Sequence, residues 1–119
     1  MIKRHTISFK NAFAGLSWAV KTQPNFKIHF TLSLLSIIAS FLLKITNTEF
    51  LIIIFLIFVG LSIETVNTAI EQTTDAIDEK WRDDIKVAKD VAAGAMLFFA
   101  IGAFLIACFI FIPRFLLLF

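Results

Sequence analysis

Five residues set the chemistry this chain could perform. Glu64, Asn67, Glu71, Asp75 and Asp78 recur at steps of three, four, four and three. At 100° per residue they fall within an arc of about 80°, one face of a helix. Such a stripe is rich in hydrogen-bond acceptors, so it requires cations: Lys, Arg or a divalent metal. Hard oxygen ligands at helical spacing suit Mg²⁺ better than zinc. The two histidines, His5 and His29, are far away in sequence, and Cys108 is the single cysteine, so no zinc set can be assembled. Of the nine acidic residues, only Glu49 lies outside the stretch from Glu64 to Asp90.

The elements that must carry this stripe are apolar. The chain has 119 residues, of which 59% are hydrophobic and 17% charged. A soluble domain carries roughly 45–50% and 25%, and one this small has no interior volume for the excess. Disorder is excluded by the same apolar content with a net charge of only +2. A disulfide scaffold is excluded by the lone cysteine. The expectation is an all-α membrane protein, one domain spanning 1–119. A bilayer crossing takes about 20 apolar residues, and three stretches meet that length: about 26–45, 50–69 and 91–112. Pro113 and Arg114 are expected to end the third, and Thr46, Asn47 and Thr48 suit the turn before the second.

The N-terminal segment, about 5–22, has a different pattern. Phe9, Phe13, Leu16 and Val20 share one helix face, with Lys10, Asn11, Ser17 and Lys21 on the other side. This predicts an amphipathic helix on the membrane surface, with Trp18 near the headgroups. No apolar run follows Lys3 and Arg4 to make a cleavable signal peptide. Basic residues cluster before the first span (Lys3, Arg4, Lys10, Lys21, Lys27) and between the second and third (Lys80, Arg82, Lys86, Lys89). The positive-inside rule therefore predicts a cytoplasmic N-terminus and second connection, with the first connection and the C-terminus outside.

The second span, counted from Phe50, contains Glu64 and Asn67. Glu64 then lies roughly 8 Å inside the inner edge, and an ionisable group at that depth is a functional-site candidate. Asp78, Glu79, Asp83 and Asp84 read more simply as solvated residues. Lys89 and Asp90, opening the third span, fit interfacial anchoring as well as ligand binding. His29 reads as a packing or interfacial residue, and Cys108 as a small packing residue. No Walker loop, Gly-rich nucleotide loop, G-x-S-x-G or H-E-x-x-H motif is present. Nothing points to nucleic acid.

The segment Glu64-Thr-Val-Asn-Thr-Ala-Ile-Glu71-x-x-x-Asp75, followed by Ala88-Lys89-Asp90-Val-Ala-Ala-Gly-Ala95, resembles the signature of the prokaryotic diacylglycerol kinase family. The likeness extends over essentially the whole chain, including Ser8-Phe-Lys-Asn-Ala-Phe-Ala-Gly15-Leu and Asn25-Phe-Lys-Ile-His29. It implies a three-span homotrimer in the bacterial inner membrane that uses ATP to phosphorylate a lipid alcohol at the cytoplasmic interface, with sites between protomers. It also implies roles: Glu64 as general base, Glu71 as a carboxylate for Mg²⁺, Asn67 beside the phosphates, and Lys89, Asp90 and Arg4 at the nucleotide. Asp75 belongs to the signature without a defined role. Gln23 stands where much of the family has a second metal-binding glutamate. An amide oxygen there still coordinates a cation, but without the charge. The run Val91-Ala92-Ala93 and the N-F-K-I-H segment are similar to the Gram-positive-type branch, whose usual substrate is undecaprenol, rather than to the enterobacterial form.

Two other readings stay open at this level. A small proton-coupled transporter also uses a lone membrane glutamate, although such proteins usually have four spans and no acidic stripe. A non-catalytic subunit of the kinase fold would explain Gln23 as decay.

Overall fold

A computed structural model describes residues 2–119, with side chains from Thr6 onward. The Arg4 side chain, expected at the nucleotide, lies outside the described residues. Four helices follow in order: α1 Ile2–Thr22, α2 Pro24–Leu42, α3 Asn47–Ile77 and α4 Asp83–Leu116. The last three are long and apolar enough to cross a membrane. At 1.5 Å per residue, the 31 residues of α3 extend about 46 Å, against an apolar bilayer core of ~30 Å. The helix therefore carries the stripe continuously from apolar surroundings to well beyond them.

Each boundary has a local cause. Gln23 is extended (φ −99°, ψ 119°) because the ring of Pro24 disfavours a helical conformation before it. Pro24 then opens α2, at a position whose N–H would have no helical partner. Between α2 and α3 the chain turns at Lys44, whose φ of 51° is left-handed. Ile45 N–H donates to Ser40 O at 3.2 Å and closes the turn. Thr46 caps α3 in a reciprocal box: Glu49 N–H donates to Thr46 Oγ1 (3.2 Å) and Thr46 N–H to Glu49 Oε2 (2.7 Å). That box starts the helix at Asn47, so Asn47 and Thr48 belong to the helix and not to the turn expected there.

α4 differs from the apolar stretch at both ends. It begins at Asp83, a full two turns before Val91, with Asp83 and Asp84 in its first turn, where carboxylates favour the positive end of the helix dipole. It also continues through Pro113 to Leu116. So close to the C-terminus, proline costs only one backbone bond.

α3 and α4 make the most extensive helix contact, α2 packs on α3, and α1 packs on both α2 and α3. Ala19 and Phe26 are buried at the α1–α2 junction. Gly60 admits the Phe99 ring: a Cβ there would lie 2.6 Å from Phe99 Cε1. Most apolar side chains of the three long helices face outward, and so do Phe9, Phe13, Leu16, Trp18 and Val20 of α1. At the end remote from the acidic stripe, Arg114 Nη2 meets Glu49 Oε2 at 2.5 Å, and its Nη1 donates to Lys44 O at 3.3 Å. This ties the end of α4 to the α2–α3 turn.

Candidate active site

The stripe on α3 grades from buried to exposed. Glu64 is 2% exposed and Asn67 5%, Glu71 is half-buried, and Asp75 is exposed. At Glu64 the face meets α2 through His29, and at Asp75 it meets α4 through Lys89. Thr68 and Thr74 are buried beside the stripe, and the Thr74 hydroxyl turns back to Ile70 O and Glu71 O, each at 2.9 Å. The Thr74 hydroxyl is thereby removed from competition for the carboxylates.

Among the described residues, two buried side-chain atoms are left without a hydrogen-bond partner: Glu64 Oε2 and Asn67 Oδ1. Leaving a buried acceptor unpaired is costly, so both are poised for something that arrives. Asn67 Nδ2 donates to Glu71 Oε1 at 3.3 Å, which fixes one side of the Glu71 carboxylate and leaves the buried Asn67 Oδ1 without a partner. His29 Nε2 of α2 approaches Glu64 Oε2 at 3.8 Å. His29 also lines a cavity of about 260 Å³ between α2, α3 and α4, with Ser33, Ile57, Gly60, Met96 and Phe99 among its walls. The cavity follows the helices from His29 toward the opposite end and is mostly apolar.

The structure brings the α4 residues to the lower stripe. Lys89 Nζ pairs with Asp75, joining α4 to α3 across 14 residues of sequence. Lys86 pairs with Asp90 one turn along the same helix. Lys89 is 37% exposed on its side chain, so its ammonium is accessible as well as anchored. Asp75, which had no assignable part from spacing, is thus the residue that holds Lys89 against α3. Arg82 forms a two-pronged pair with Asp84 (Nε–Oδ1 3.1 Å, Nη2–Oδ2 2.7 Å) in the connection below. That guanidinium, together with the Ile85 N–H, holds the Asp84 carboxyl below the usual carboxylate range.

Gln23 stands at the α1–α2 break, its amide donating to Thr22 Oγ1 at 3.4 Å. Among the described residues no group of three or more His, Cys, Asp or Glu side chains is gathered to hold a metal ion. The half-buried Glu71 carboxylate, held on one side by Asn67, is a hard oxygen ligand that could hold a magnesium ion. His29 is the site neighbour that spacing missed. Depth held the clue: His29 lies one turn inside the first span and Glu64 a little over one turn inside the second, at the same end of antiparallel helices.

Residues 10–111 match the profile of the prokaryotic diacylglycerol kinase family. The chain is 37% identical over 113 residues to an undecaprenol kinase of Bacillus subtilis, covering 95% of this chain and 92% of that one. It is 34% identical over 108 residues to a diacylglycerol kinase of Synechocystis, covering 90% of this chain and 62% of the longer relative.

Proposed function

The chain belongs to the prokaryotic diacylglycerol kinase family and is a lipid kinase; from that premise we propose its substrate, its site and its placement in the membrane. The substrate is a membrane alcohol with its hydroxyl at the interface, undecaprenol ahead of diacylglycerol, and the phosphate donor is ATP. The observation that carries the site is the buried Glu64 with an unpartnered Oε2. A carboxylate in that setting acts as a general base for a hydroxyl presented from the bilayer.

The step is a direct transfer. The lipid O–H proton passes to the Glu64 carboxylate as the lipid oxygen attacks the γ-phosphorus. The new O–P bond forms, the bond from the γ-phosphorus to the β,γ-bridging oxygen breaks, and ADP leaves. Asn67 and Lys89 orient the phosphates, and Asp75 holds Lys89 in place. Asp90 and Arg4 complete the nucleotide contacts. Glu71, with help from Asn67 and the Gln23 amide, would hold Mg²⁺, which when bound offsets charge on the β- and γ-phosphates.

The basic residues at the N-terminus and in the α3–α4 connection support a cytoplasmic site in the inner membrane, with the C-terminus outside. The outward Phe9, Phe13, Leu16 and Val20 support α1 as a surface helix. A homotrimer would shield the stripe from lipid and supply ligands that one protomer lacks. Family membership across residues 10–111 favours this reading over a transporter. The preference for undecaprenol rests on the fuller coverage of the Bacillus relative and on the Asp90-Val-Ala-Ala-Gly run. Phosphate transfer from labelled ATP to undecaprenol and to diacylglycerol, side by side in mixed micelles, tests it. Faster transfer to undecaprenol is expected. Equal or faster transfer to diacylglycerol overturns the substrate assignment, and no transfer to either overturns the reading of the site.

A further inference from the structure

We propose that His29 is a positioning residue for Glu64, its Nε2–H donating a hydrogen bond to Glu64 Oε2 when the alcohol is seated. This deepens the reading of Glu64 as the base and rests on it. Glu64 Oε2 is buried and has no hydrogen-bond partner, and His29 Nε2 stands 3.8 Å away. That gap is about 1 Å beyond a formed hydrogen bond, within reach of a side-chain rotation. A neutral imidazole carries one N–H and one acceptor nitrogen, so it can bind Oε2 and still present a polar edge to the cavity it lines.

The cavity that His29 lines is mostly apolar, with the Ser33 and Ser36 hydroxyls among its walls. From α4 the cavity wall supplies Met96, Phe99, Ala100, Ala103, Phe104 and Ala107, none with a side-chain hydrogen-bond donor of ordinary strength. On α2, the Ser36 hydroxyl is committed to Leu32 O at 2.8 Å. On α3, the neighbouring Asn67 amide is committed to Glu71. Of the charged and titratable groups on the helices around it, His29 alone is paired with Glu64 among the described residues. A hydrogen bond at Oε2 orients the carboxylate and leaves Oε1 for the substrate proton. His29 is 19% exposed on its side chain and lines the cavity between α2, α3 and α4, so the same ring touches both that cavity and the surroundings of the base.

The test compares steady-state turnover of the full chain in mixed micelles for His29→Ala, His29→Leu, His29→Gln and Glu64→Gln, with thermal unfolding measured alongside. His29→Ala and His29→Leu are expected to lower kcat about 10- to 100-fold, the effect of one hydrogen bond to a charged group. KM for ATP should stay unchanged, because His29 does not touch the nucleotide. His29→Gln, whose amide N–H reaches a similar position, is expected to recover most of the turnover. His29→Leu keeps the comparison decisive if the smaller alanine fails to fold. Full turnover in the leucine variant, with Glu64→Gln inactive, overturns this inference and leaves Glu64 as the base. Equal losses in the leucine and glutamine variants with unchanged unfolding overturn it as well. Full turnover in Glu64→Gln overturns both assignments.

Discussion

Glu64, Asn67 and Glu71 occupy successive turns of one helix, yet their surroundings differ sharply, and that difference divides their roles. Glu64, almost wholly buried with His29 beside its Oε2, suits proton transfer. Glu71, half-buried and hydrogen-bonded to Asn67 at 3.3 Å, suits cation binding. Glu64→Gln is expected to lower kcat by about 10²- to 10⁴-fold, the usual reach of a general base, with KM for ATP little changed; radiometric lipid phosphorylation checks this. Glu71→Gln should raise the Mg²⁺ concentration giving half-maximal activity. Gln23→Glu should lower it by restoring a charged ligand, and a magnesium titration at fixed ATP distinguishes the two directions. The acidic stripe was legible in sequence because helical spacing is local. The pairing of His29 with Glu64, and of Lys89 with Asp75, was not, because each joins side chains on different helices.

At the scale of the element, close approach and capping decide where helices sit and start. Gly60 lets the Phe99 ring fill the space a side chain would take, with only 2.6 Å available to a Cβ. Gly60→Ala therefore overpacks the α3–α4 contact and should cost about 1–3 kcal/mol. The expected result is a lower unfolding temperature in detergent, partly recovered when Phe99→Leu is added. The capping signature at Thr46 and Glu49 was present in the sequence as T-x-x-E, but Thr46, Asn47 and Thr48 are equally turn-forming residues, so local pattern alone left the helix start open. The early start of α4 was also hidden. Its first two turns, from Asp83 to Asp90, are mostly charged, so hydropathy registers only the part that meets lipid, whereas backbone hydrogen bonding continues through both.

For the whole molecule, four helices leave most of their apolar surface outward, as a small chain in lipid must. Charge at the two ends is unequal, and this carries the prediction of topology. With Cys108 first replaced by Ser, Lys80→Cys should resist a membrane-impermeant thiol reagent applied to intact cells, and Thr48→Cys should react. The reverse pattern would invert the assigned orientation. The exposed lower stripe carries the prediction of assembly. Native mass spectrometry from detergent should give three copies, and a monomer retaining full kinase activity would remove the argument that neighbours complete the site.

The sequence by itself determined the helical membrane architecture and the face on which the acidic residues fall, because hydropathy and a 3.6-residue period are properties of contiguous chain. It also carried the family signature. Only the tertiary structure decided which carboxylate is buried and which anchors a lysine of the next helix. The depth of a side chain and the identity of its neighbours depend on how α1, α2 and α4 lie against α3, and those contacts join residues far apart in the chain. The same spacing thus yields a buried acceptor at Glu64 and an exposed ion pair at Asp75, through packing alone.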